Sequence, residues 1–249
     1  MGVGLSADGE YLQRGSIPSG GAGTLSEGGF SDFFMGVWLY RATADVTYAT
    51  TAAGFILHGQ AGAREVGLGF NSAGAALGDL NLQAIYNSGG GTGTPYLFTG
   101  MTGSSHLDQW VYYFFYEDSG NNLVAGYILY SDLNTAITNS YVNDNAGSQY
   151  VNTFTIGSDS GGAAVVAGDY AYARAIASAS ITASNVLTYA ASDTAGGGDW
   201  GFWPLADNTD TGDDSGNGRT LTFTGTITSE SSPTLAVSSA RRMLMLGVG

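Results

Sequence analysis

Short segments rich in aromatic and β-branched residues recur along this chain, separated by runs of Gly, Ser, Thr, Asn and Asp. In residues 79–87 and 219–227 apolar and polar side chains alternate, which is the period of a half-buried β-strand. Residues 33–40 (FFMGVWLY) are apolar on both faces, which predicts a central strand packed on both sides. About a dozen such segments with turn signals between them predict an all-β fold, an antiparallel β-sandwich of the jelly-roll type.

One segment departs from the strand pattern. Residues 180–192 (SITASNVLTYAAS) offer Thr182 or Ser184 as an N-cap residue, because either hydroxyl can accept a hydrogen bond from the free N–H groups of a first helical turn. Apolar residues then follow at helical spacing, namely Val186, Leu187 and Ala190. The sequence therefore predicts one short helix late in the chain.

The charge balance excludes several classes of partner. The chain has 21 acidic residues against seven arginines, without a lysine, and its formal net charge is -14. Nucleic acids and anionic membranes both require a basic protein surface, so neither is an expected partner. Cysteine is absent from the sequence, which excludes disulfides and thiolate chemistry.

The length of 249 residues suits a single sandwich domain. The strand pattern ends near Leu235, so we expect a domain over residues 1–236 and a separate tail over residues 237–249. The opening MGVGLSADGEYLQRG lacks the basic start, apolar run and cleavage site of a signal peptide. No segment approaches the ~20 apolar residues that a membrane-spanning helix needs.

Several longer motifs follow one another in a recognisable order. FSDFFMGVWLYRA forms an early central strand, and GFILHGQ opens the next hairpin. HLDQWVYYFFYEDSGNNLVAGYI contains a Trp-bearing strand, a turn and a return strand. FTIGSD precedes YAYARAIASASITASNVLTY, which combines a late strand, an arginine and the short helix, and FWPLADNTDTGDDSGNGRTLTF closes the series.

This order, over roughly residues 5–235, resembles the laminin-G-like branch of the concanavalin A-like lectin/glucanase superfamily. The resemblance implies two curved antiparallel sheets packed face to face. It is only weakly informative about function, because this fold carries many unrelated activities.

Aspartates crowd the loop before the last predicted strand. Asp207, Asp210 and Asp214 present the hard oxygen ligands that calcium prefers, although their spacing is not that of an EF-hand. Some laminin-G-like domains bind calcium at a rim loop, so the resemblance implies a calcium site here. The alternative is a solvated turn in which Asp side chains bond nearby backbone N–H groups and Gly216 and Gly218 take positive φ. No other cofactor is expected.

The acidic residues do not follow a catalytic pattern. Glycosidases of this superfamily carry carboxylates as Glu-x-Asp-x-x-Glu on one strand, and none of the five glutamates stands in that pattern. Serine or zinc hydrolysis needs histidines, and we interpret the two present, His58 and His106, as strand-end or loop residues. The sequence predicts that the protein is not an enzyme.

Exposed aromatic rings would bind sugars by stacking. The candidates for such a rim surface are Trp110, Trp200, Trp203, Tyr141 and Tyr150. The alternative for each is the core, because aromatic residues dominate sandwich interiors. For Trp38 and Trp110 the core is the expected location.

The C-terminal segment differs from the rest of the chain. Arg241 and Arg242 stand side by side and precede four apolar residues, Met243, Leu244, Met245 and Leu246. At ~25 cal/mol per Å² of apolar surface, hiding those four side chains from water contributes several kcal/mol. We expect the tail either to fold back as an edge strand of its own sandwich or to dock on a partner, with the arginines pairing carboxylates.

Together these features favour a non-enzymatic structural or interaction protein of a bacteriophage particle, such as a head decoration, a fibre or a tail appendage. Such a protein is made in the host cytoplasm and displayed on the virion surface. Its partners would be other virion proteins in a homo-oligomer or symmetric assembly. The alternative, compatible with the first, is a carbohydrate-binding module for host-surface glycans. A glycoside hydrolase is disfavoured by the missing carboxylate pair.

Overall fold

The computed structural model of the chain describes residues 2–5, 10–14, 33–43, 54–61, 64–71, 81–87, 94–102, 106–117, 122–142, 153–159, 161–162, 165–177 and 181–235. Within these ranges the chain forms fifteen strands and one helix. In chain order they are β1 (Gly2–Leu5), β2 (Tyr11–Arg14), β3 (Phe33–Tyr40), β4 (Gly54–Ala61), β5 (Arg64–Asn71), β6 (Asn81–Asn87), β7 (Thr94–Thr102), β8 (Trp110–Glu117), β9 (Asn122–Leu129), β10 (Ile137–Val142), β11 (Thr153–Ile156), β12 (Gly168–Ala177), α1 (Ala183–Ala190), β13 (Asp199–Trp203), β14 (Thr222–Thr224) and β15 (Thr228–Glu230).

The strands pair into two antiparallel sheets. In the described part of the chain, one sheet has eight strands, with seven in the order β10-β9-β8-β3-β12-β1-β15 and β13 paired with β12 beside them. The other sheet has seven strands in the order β14-β2-β11-β4-β5-β6-β7. The predicted all-β antiparallel sandwich with one short helix is confirmed.

The main core lies between the two sheets and is built by strand alternation. Strand β3 contributes Phe33, Met35, Val37 and Leu39 to it, while Phe34 and Trp38 belong to a second cluster on the other side of the strand. Every residue from 33 to 39 is buried. The expectation of a central strand packed on both faces is therefore confirmed.

The second cluster covers the outer face of the eight-stranded sheet. Trp38 and Tyr112 pack there against Val186 and Ala190 of helix α1, and Leu235 near the end of the described chain joins the same cluster. The Trp38 indole Nε1 donates a hydrogen bond to the Ala190 carbonyl oxygen at 3.0 Å. In this packed face the Trp38 indole has a hydrogen-bond partner, whereas the buried Tyr112 hydroxyl has none among the described residues.

The helix begins as the sequence predicts. Thr182 is the N-cap residue, because its Oγ1 accepts a hydrogen bond from the Asn185 backbone N–H. The Asn185 Oδ1 in turn accepts from the Thr182 backbone N–H at 3.0 Å, which completes a reciprocal capping box. Ser184, the other candidate, is already inside the helix.

A buried arginine joins the loop after the helix to the same face. Arg174 on β12 donates to the Thr194 carbonyl oxygen at 2.6 Å, and its Nε lies 3.6 Å from Asp199 Oδ2. Its guanidinium stacks 4.8 Å from the centre of the Phe202 ring. Burial raises the pKa of Asp199, and the neighbouring Arg174 charge opposes that rise. The arginine of the late strand is therefore a structural anchor of residues 191–199.

The sequence predicts one strand over residues 219–227, and this prediction is wrong. The structure has the short strand β14 within these residues and a second short strand, β15, directly after them. Strand β14 pairs with β2 in the seven-stranded sheet, whereas β15 pairs with β1 in the eight-stranded sheet. Gly225 lies between them with φ of +87°, a left-handed conformation that cannot continue a strand. The chain therefore crosses from one sheet to the other within these residues.

Among the described residues, no helix has both the length and the apolar character required to cross a membrane.

Candidate functional site

The aspartate-rich loop is a self-bonded connection between β13 and β14. Asp213 Oδ1 accepts hydrogen bonds from the Phe202 and Ser215 backbone N–H groups, and its Oδ2 accepts from the Arg219 N–H at 2.8 Å. The Arg219 guanidinium donates to the Trp200 carbonyl oxygen and stacks 4.4 Å from the Trp200 ring centre. One carboxylate and one guanidinium thus hold both ends of the loop to β13.

The three predicted calcium ligands occupy separate positions in this loop. Asp207 Oδ1 accepts from the Thr209 N–H and hydroxyl groups, and these bonds lower the Asp207 pKa. Asp210 accepts from the Ala206 N–H at 2.9 Å and from Gly212. The side chain of Asp214 is exposed, while its backbone N–H donates to Phe202.

These contacts match the turn interpretation of the loop, in which aspartates accept local N–H groups and Gly216 and Gly218 take positive φ. Over the ranges that the structure describes, no three histidine or acidic side chains gather closely enough to hold a metal ion. Calcium binding by Asp207, Asp210 and Asp214 stays a prediction, which metal titration would test.

The aromatic candidates for sugar stacking are largely internal. Trp203 is fully buried and stacks on Phe154 at 5.0 Å between ring centres, and Trp200 is also part of the main core. The sugar-stacking interpretation is therefore wrong for these two. Trp110 is half-buried and packs against the second cluster, and the side chains of Tyr141 and Tyr150 lie outside the described residues.

Both histidines are buried in the structure. His106 precedes β8, as expected of a loop residue, but it is buried and its Nδ1 lies 3.0 Å from the Tyr113 hydroxyl. Burial, and then the charge of Arg41, lower the His106 pKa to about 4. His58 is not at a strand end: it lies in the middle of β4 and is 1% exposed. That part of the prediction is wrong.

His58 lies on the outer face of the seven-stranded sheet. Its neighbours there follow from strand register: Thr155 on β11 stands opposite His58, and Gln13 on β2 stands opposite Thr155. Gln83 on β6 stands opposite Gly69, which pairs in turn with Phe55. Adjacent residues of these strands point into the main core, so these side chains point outward. We call Gln13, His58, Glu65, Gln83 and Thr155 the outer polar face.

Two contacts organise the outer polar face. His58 Nε2 lies 2.8 Å from Glu65 Oε1, and the His58 ring packs 4.5 Å from the Phe55 ring centre. Gln13 Nε2 donates to the Thr155 hydroxyl at 3.4 Å. Because a carboxylate can only accept, the hydrogen of this pair sits on His58 Nε2.

Two buried atoms of the face have no hydrogen-bond partner within the described part of the chain, namely His58 Nδ1 and Gln83 Oε1. Both side chains are nearly inaccessible, with 1% and 5% of their surface exposed. Leaving a buried polar atom unpaired costs about 1–3 kcal/mol, so such atoms in a folded protein call for a reason, and a binding site is one.

Glycine 67 gives this face its shape. A Cβ atom at Gly67 would lie 2.7 Å from a Phe55 ring carbon and 3.2 Å from the His58 ring. A side chain at this position would have to displace the Phe55 ring, so glycine is the residue that fits beside both rings. The result is a pair of packed rings beside the buried residues Gly67 and Gly69, with polar side chains around them.

The chemistry of this face is limited by its acids. Glu65 is the one carboxylic acid in the seven described strands of this sheet. A glycosidase requires two carboxyl groups flanking the scissile bond. The His58–Glu65 pair orients an imidazole, and the described strands of this sheet do not supply the second carboxyl group of a glycosidase.

The predicted docking residues Arg241, Arg242, Met243, Leu244, Met245 and Leu246 lie outside the described residues. Docking by this tail stays a prediction.

No protein-family model matches this sequence, and neither does any curated protein. Solved structures do match. A protein from Bacteroides ovatus with a proposed carbohydrate-binding role is 17% identical, with a TM-score of 0.52, over 96% of this chain and 62% of its own.

Two further solved structures are more distant. A heptameric SAP-like pentraxin from Limulus polyphemus is 12% identical, with a TM-score of 0.45, over 76% of this chain and 81% of its own. Tailspike protein 2 of the Escherichia coli O157:H7 bacteriophage CAB120 is 12% identical, with a TM-score of 0.42. This match covers 64% of our chain and 21% of the tailspike.

The chain thus spans a fifth of the tailspike and less than two thirds of the Bacteroides protein. The likeness to the Bacteroides protein shows the fold, a concanavalin A-like β-sandwich.

Proposed function

We propose that this chain is a non-catalytic recognition domain that binds carbohydrate on the outer polar face and is displayed on a virus particle. The observation that carries the binding proposal is the β-sandwich fold shared with the Bacteroides ovatus protein, for which a carbohydrate-binding role is proposed.

The composition of the face supports a sugar as the ligand. Carbohydrate sites combine an apolar ring surface with amide, imidazole and hydroxyl groups that bond the sugar hydroxyls. The outer polar face offers Phe55 as the ring, with Gln13, Gln83, His58 and Thr155 as polar groups. The carbohydrate-binding role proposed for the Bacteroides protein of the same fold is consistent with this assignment.

The proposal is for a binding protein without hydrolytic activity. The described strands of the site contain a single carboxylic acid, Glu65, whereas hydrolysis of a glycosidic bond needs two. We expect no release of reducing ends from β-glucan, alginate or host capsule above a buffer control. Measurable release would exclude a purely binding role.

The display of the domain on a particle rests on the sequence. A lysine-free, cysteine-free, acidic chain with 40 glycines is compatible with a phage surface protein that assembles in the host cytoplasm. Edge strand β10 adds a structural feature: Ile137 at its start is 41% exposed, and the outer edge of a terminal strand can pair with another chain. Other virion proteins, or further copies of this chain, would be the partners.

Removing the tail tests the particle role. A chain ending after Ser238 should stay folded but fail to incorporate into particles, as seen by electron microscopy and gel analysis of purified particles. Retained incorporation of the shortened chain would refute docking by residues 241–246. Complete absence of the full-length chain from particles would refute display itself.

A glycan array tests the binding role. The full chain, labelled at its N-terminus, should bind a restricted set of glycans, and His58→Ala should abolish the signal. Ser184→Ala, which alters an exposed position on helix α1 over the opposite sheet, is the matched control and should bind as the parent does. Absence of any signal from the parent chain would refute carbohydrate recognition.

A further inference from the structure

We propose that Asn217 is a modification site, at which deamidation replaces the side-chain amide by a carboxylate and weakens the attachment of residues 204–221 to β13. The reactants are the chain itself and water, so the reaction requires no enzyme and no cofactor. This inference is independent of the proposed carbohydrate binding.

The residue that follows Asn217 sets up the reaction. Asn217 precedes Gly218, and this is the one Asn-Gly pair in the sequence. Because glycine has no side chain, its backbone nitrogen can approach the preceding side chain closely. Hydroxide removes the Gly218 N–H proton and the nitrogen attacks Asn217 Cγ, while the Cγ–Nδ2 bond breaks and Nδ2 leaves as ammonia with a proton from water. Water then adds to either carbonyl of the cyclic imide and breaks the bond of that carbonyl to the nitrogen, which gives aspartate or isoaspartate.

The surroundings of Asn217 leave room for this ring closure. Asn217 is exposed, and the glycines on both sides of it take positive φ. A Cβ atom built on Gly216 or Gly218 would have no heavy atom within 4 Å apart from those of the adjacent residues. The reacting peptide therefore faces solvent rather than a packed element.

The amide that is lost forms part of the attachment of the loop. Asn217 Nδ2 donates to the Asp199 carbonyl oxygen at 2.9 Å and lies 3.2 Å from the Trp200 carbonyl oxygen. These contacts hold the amide against β13, so the reaction requires a local opening of the loop. Deamidation should therefore proceed in the folded chain, but more slowly than in the denatured chain.

The product cannot make the same contacts. A carboxylate only accepts hydrogen bonds, so at position 217 it would face two carbonyl oxygens that also only accept. The nearby guanidinium of Arg219 already donates to the Trp200 carbonyl oxygen and stacks on the Trp200 ring. Pairing of this guanidinium with the new carboxylate would break a contact that now holds the loop. Deamidation should thus loosen the loop whether or not such a pair forms.

Ageing of the full chain at pH 7 and pH 9 tests the modification. Peptide mass spectrometry should find Asn217 converted to aspartate and isoaspartate, faster at pH 9 because hydroxide removes the proton, and faster again in urea. Asn139 is the internal comparison, because it is also exposed but is followed by serine, and it should convert far less. Conversion of Asn217 no greater than that of Asn139 in the folded chain would overturn the proposal.

Asn217→Asp tests the consequence of the modification. It should lower the melting temperature and accelerate amide hydrogen exchange in residues 199–221 about tenfold. Asn139→Asp is the matched control, because it makes the same change of charge and keeps an acceptor for the Ser140 N–H, and exchange in this loop should not change. If Asn217→Asp does not fold, the deamidated fraction of the aged chain, separated by anion exchange, provides the same comparison. Melting and exchange equal to those of the parent would overturn the proposal.

Discussion

The two sheets of this sandwich present opposite kinds of outer face. On the eight-stranded sheet, Trp38 packs beneath helix α1, and its one polar atom is bonded to the Ala190 carbonyl oxygen. On the seven-stranded sheet, the corresponding surface carries His58, Gln83 and two glycines, with buried polar atoms left unpaired in the described chain. Buried polar atoms without a hydrogen-bond partner among the described residues also occur on the packed side, at the Tyr112 hydroxyl and Arg174 Nε. The two faces therefore differ in their lining, with aromatic rings under a helix on one and polar side chains on the other.

The largest loss of stability is expected when a large side chain is removed from the packed face. Trp38→Ala removes a fully buried indole and its hydrogen bond, and should lower the free energy of unfolding by about 3–5 kcal/mol. Chemical denaturation measures the change. A loss below about 1 kcal/mol would mean that helix α1 does not depend on this cluster, and the distinction between the faces would disappear.

Acid should destabilise the interior through the buried imidazole of His106. The pKa of His106 is lowered from 6.5 to about 4, so between these values the unfolded chain binds a proton that the folded chain excludes. The corresponding contribution is fully present above pH 6.5 and is lost as the pH falls toward 4. It amounts to roughly 3 kcal/mol.

Comparing denaturation curves at pH 7 and pH 4.5 for the parent and for His106→Asn isolates this contribution. The variant keeps a polar atom near the Tyr113 hydroxyl but has no titrating ring. Its loss of stability on acidification should be smaller than the parent's. Equal losses would assign the acid sensitivity to carboxylates elsewhere.

A smaller effect is expected at the helix N-terminus. Thr182→Ala removes the hydroxyl that accepts from the Asn185 N–H and should cost about 1 kcal/mol. Thr182→Ser keeps the acceptor and should stay within a few tenths of a kcal/mol of the parent. The helix contributes to the packed face, so carbohydrate binding should not change in either variant. Altered carbohydrate binding by Thr182→Ala would show that the packed face and the outer polar face are energetically coupled.

The smallest change in stability, and one of opposite sign, is expected on the outer polar face. Gln83→Met replaces a buried acceptor without a partner in the described chain by an apolar group of similar size. Such a change is neutral or stabilising by about 1 kcal/mol. Denaturation under the conditions used for Trp38→Ala gives the direct comparison. A loss of more than about 1 kcal/mol would show that Gln83 is part of the packing.

Strand alternation was sufficient to predict the sandwich, the doubly buried strand β3 and the helix capped at Thr182, because each is encoded locally. It could not predict the outer polar face. A register shift between Phe55 and Leu57 in β4 places Phe55 and His58 on the same side of the sheet. Strict alternation would have put His58 on the same side as Ile56, which lies in the core. The site therefore depends on a bulge that is not visible in the sequence.

The sequence left the location of Trp200 and Trp203 open, between a rim and the core, for a related reason. The sequence contains four tryptophans and many candidate loops, and it does not indicate which tryptophans lie near a rim of the sandwich. In the structure both pack against Phe154, and the Arg219 guanidinium covers Trp200. Long-range contacts between β11, β13 and the following loop decide their burial, and these contacts have no short-range signal.

The central claim, that the seven-stranded sheet carries the recognition face, has one direct test. The chain contains two histidines, His58 on that face and His106 in the interior, so a protein labelled with ¹⁵N-histidine gives two sets of ring signals. His58→Gln assigns them. Titration with the glycan that binds best on the array should shift the His58 Nδ1 resonance and leave the His106 signals in place. Saturation of binding with an unchanged His58 resonance would contradict the account.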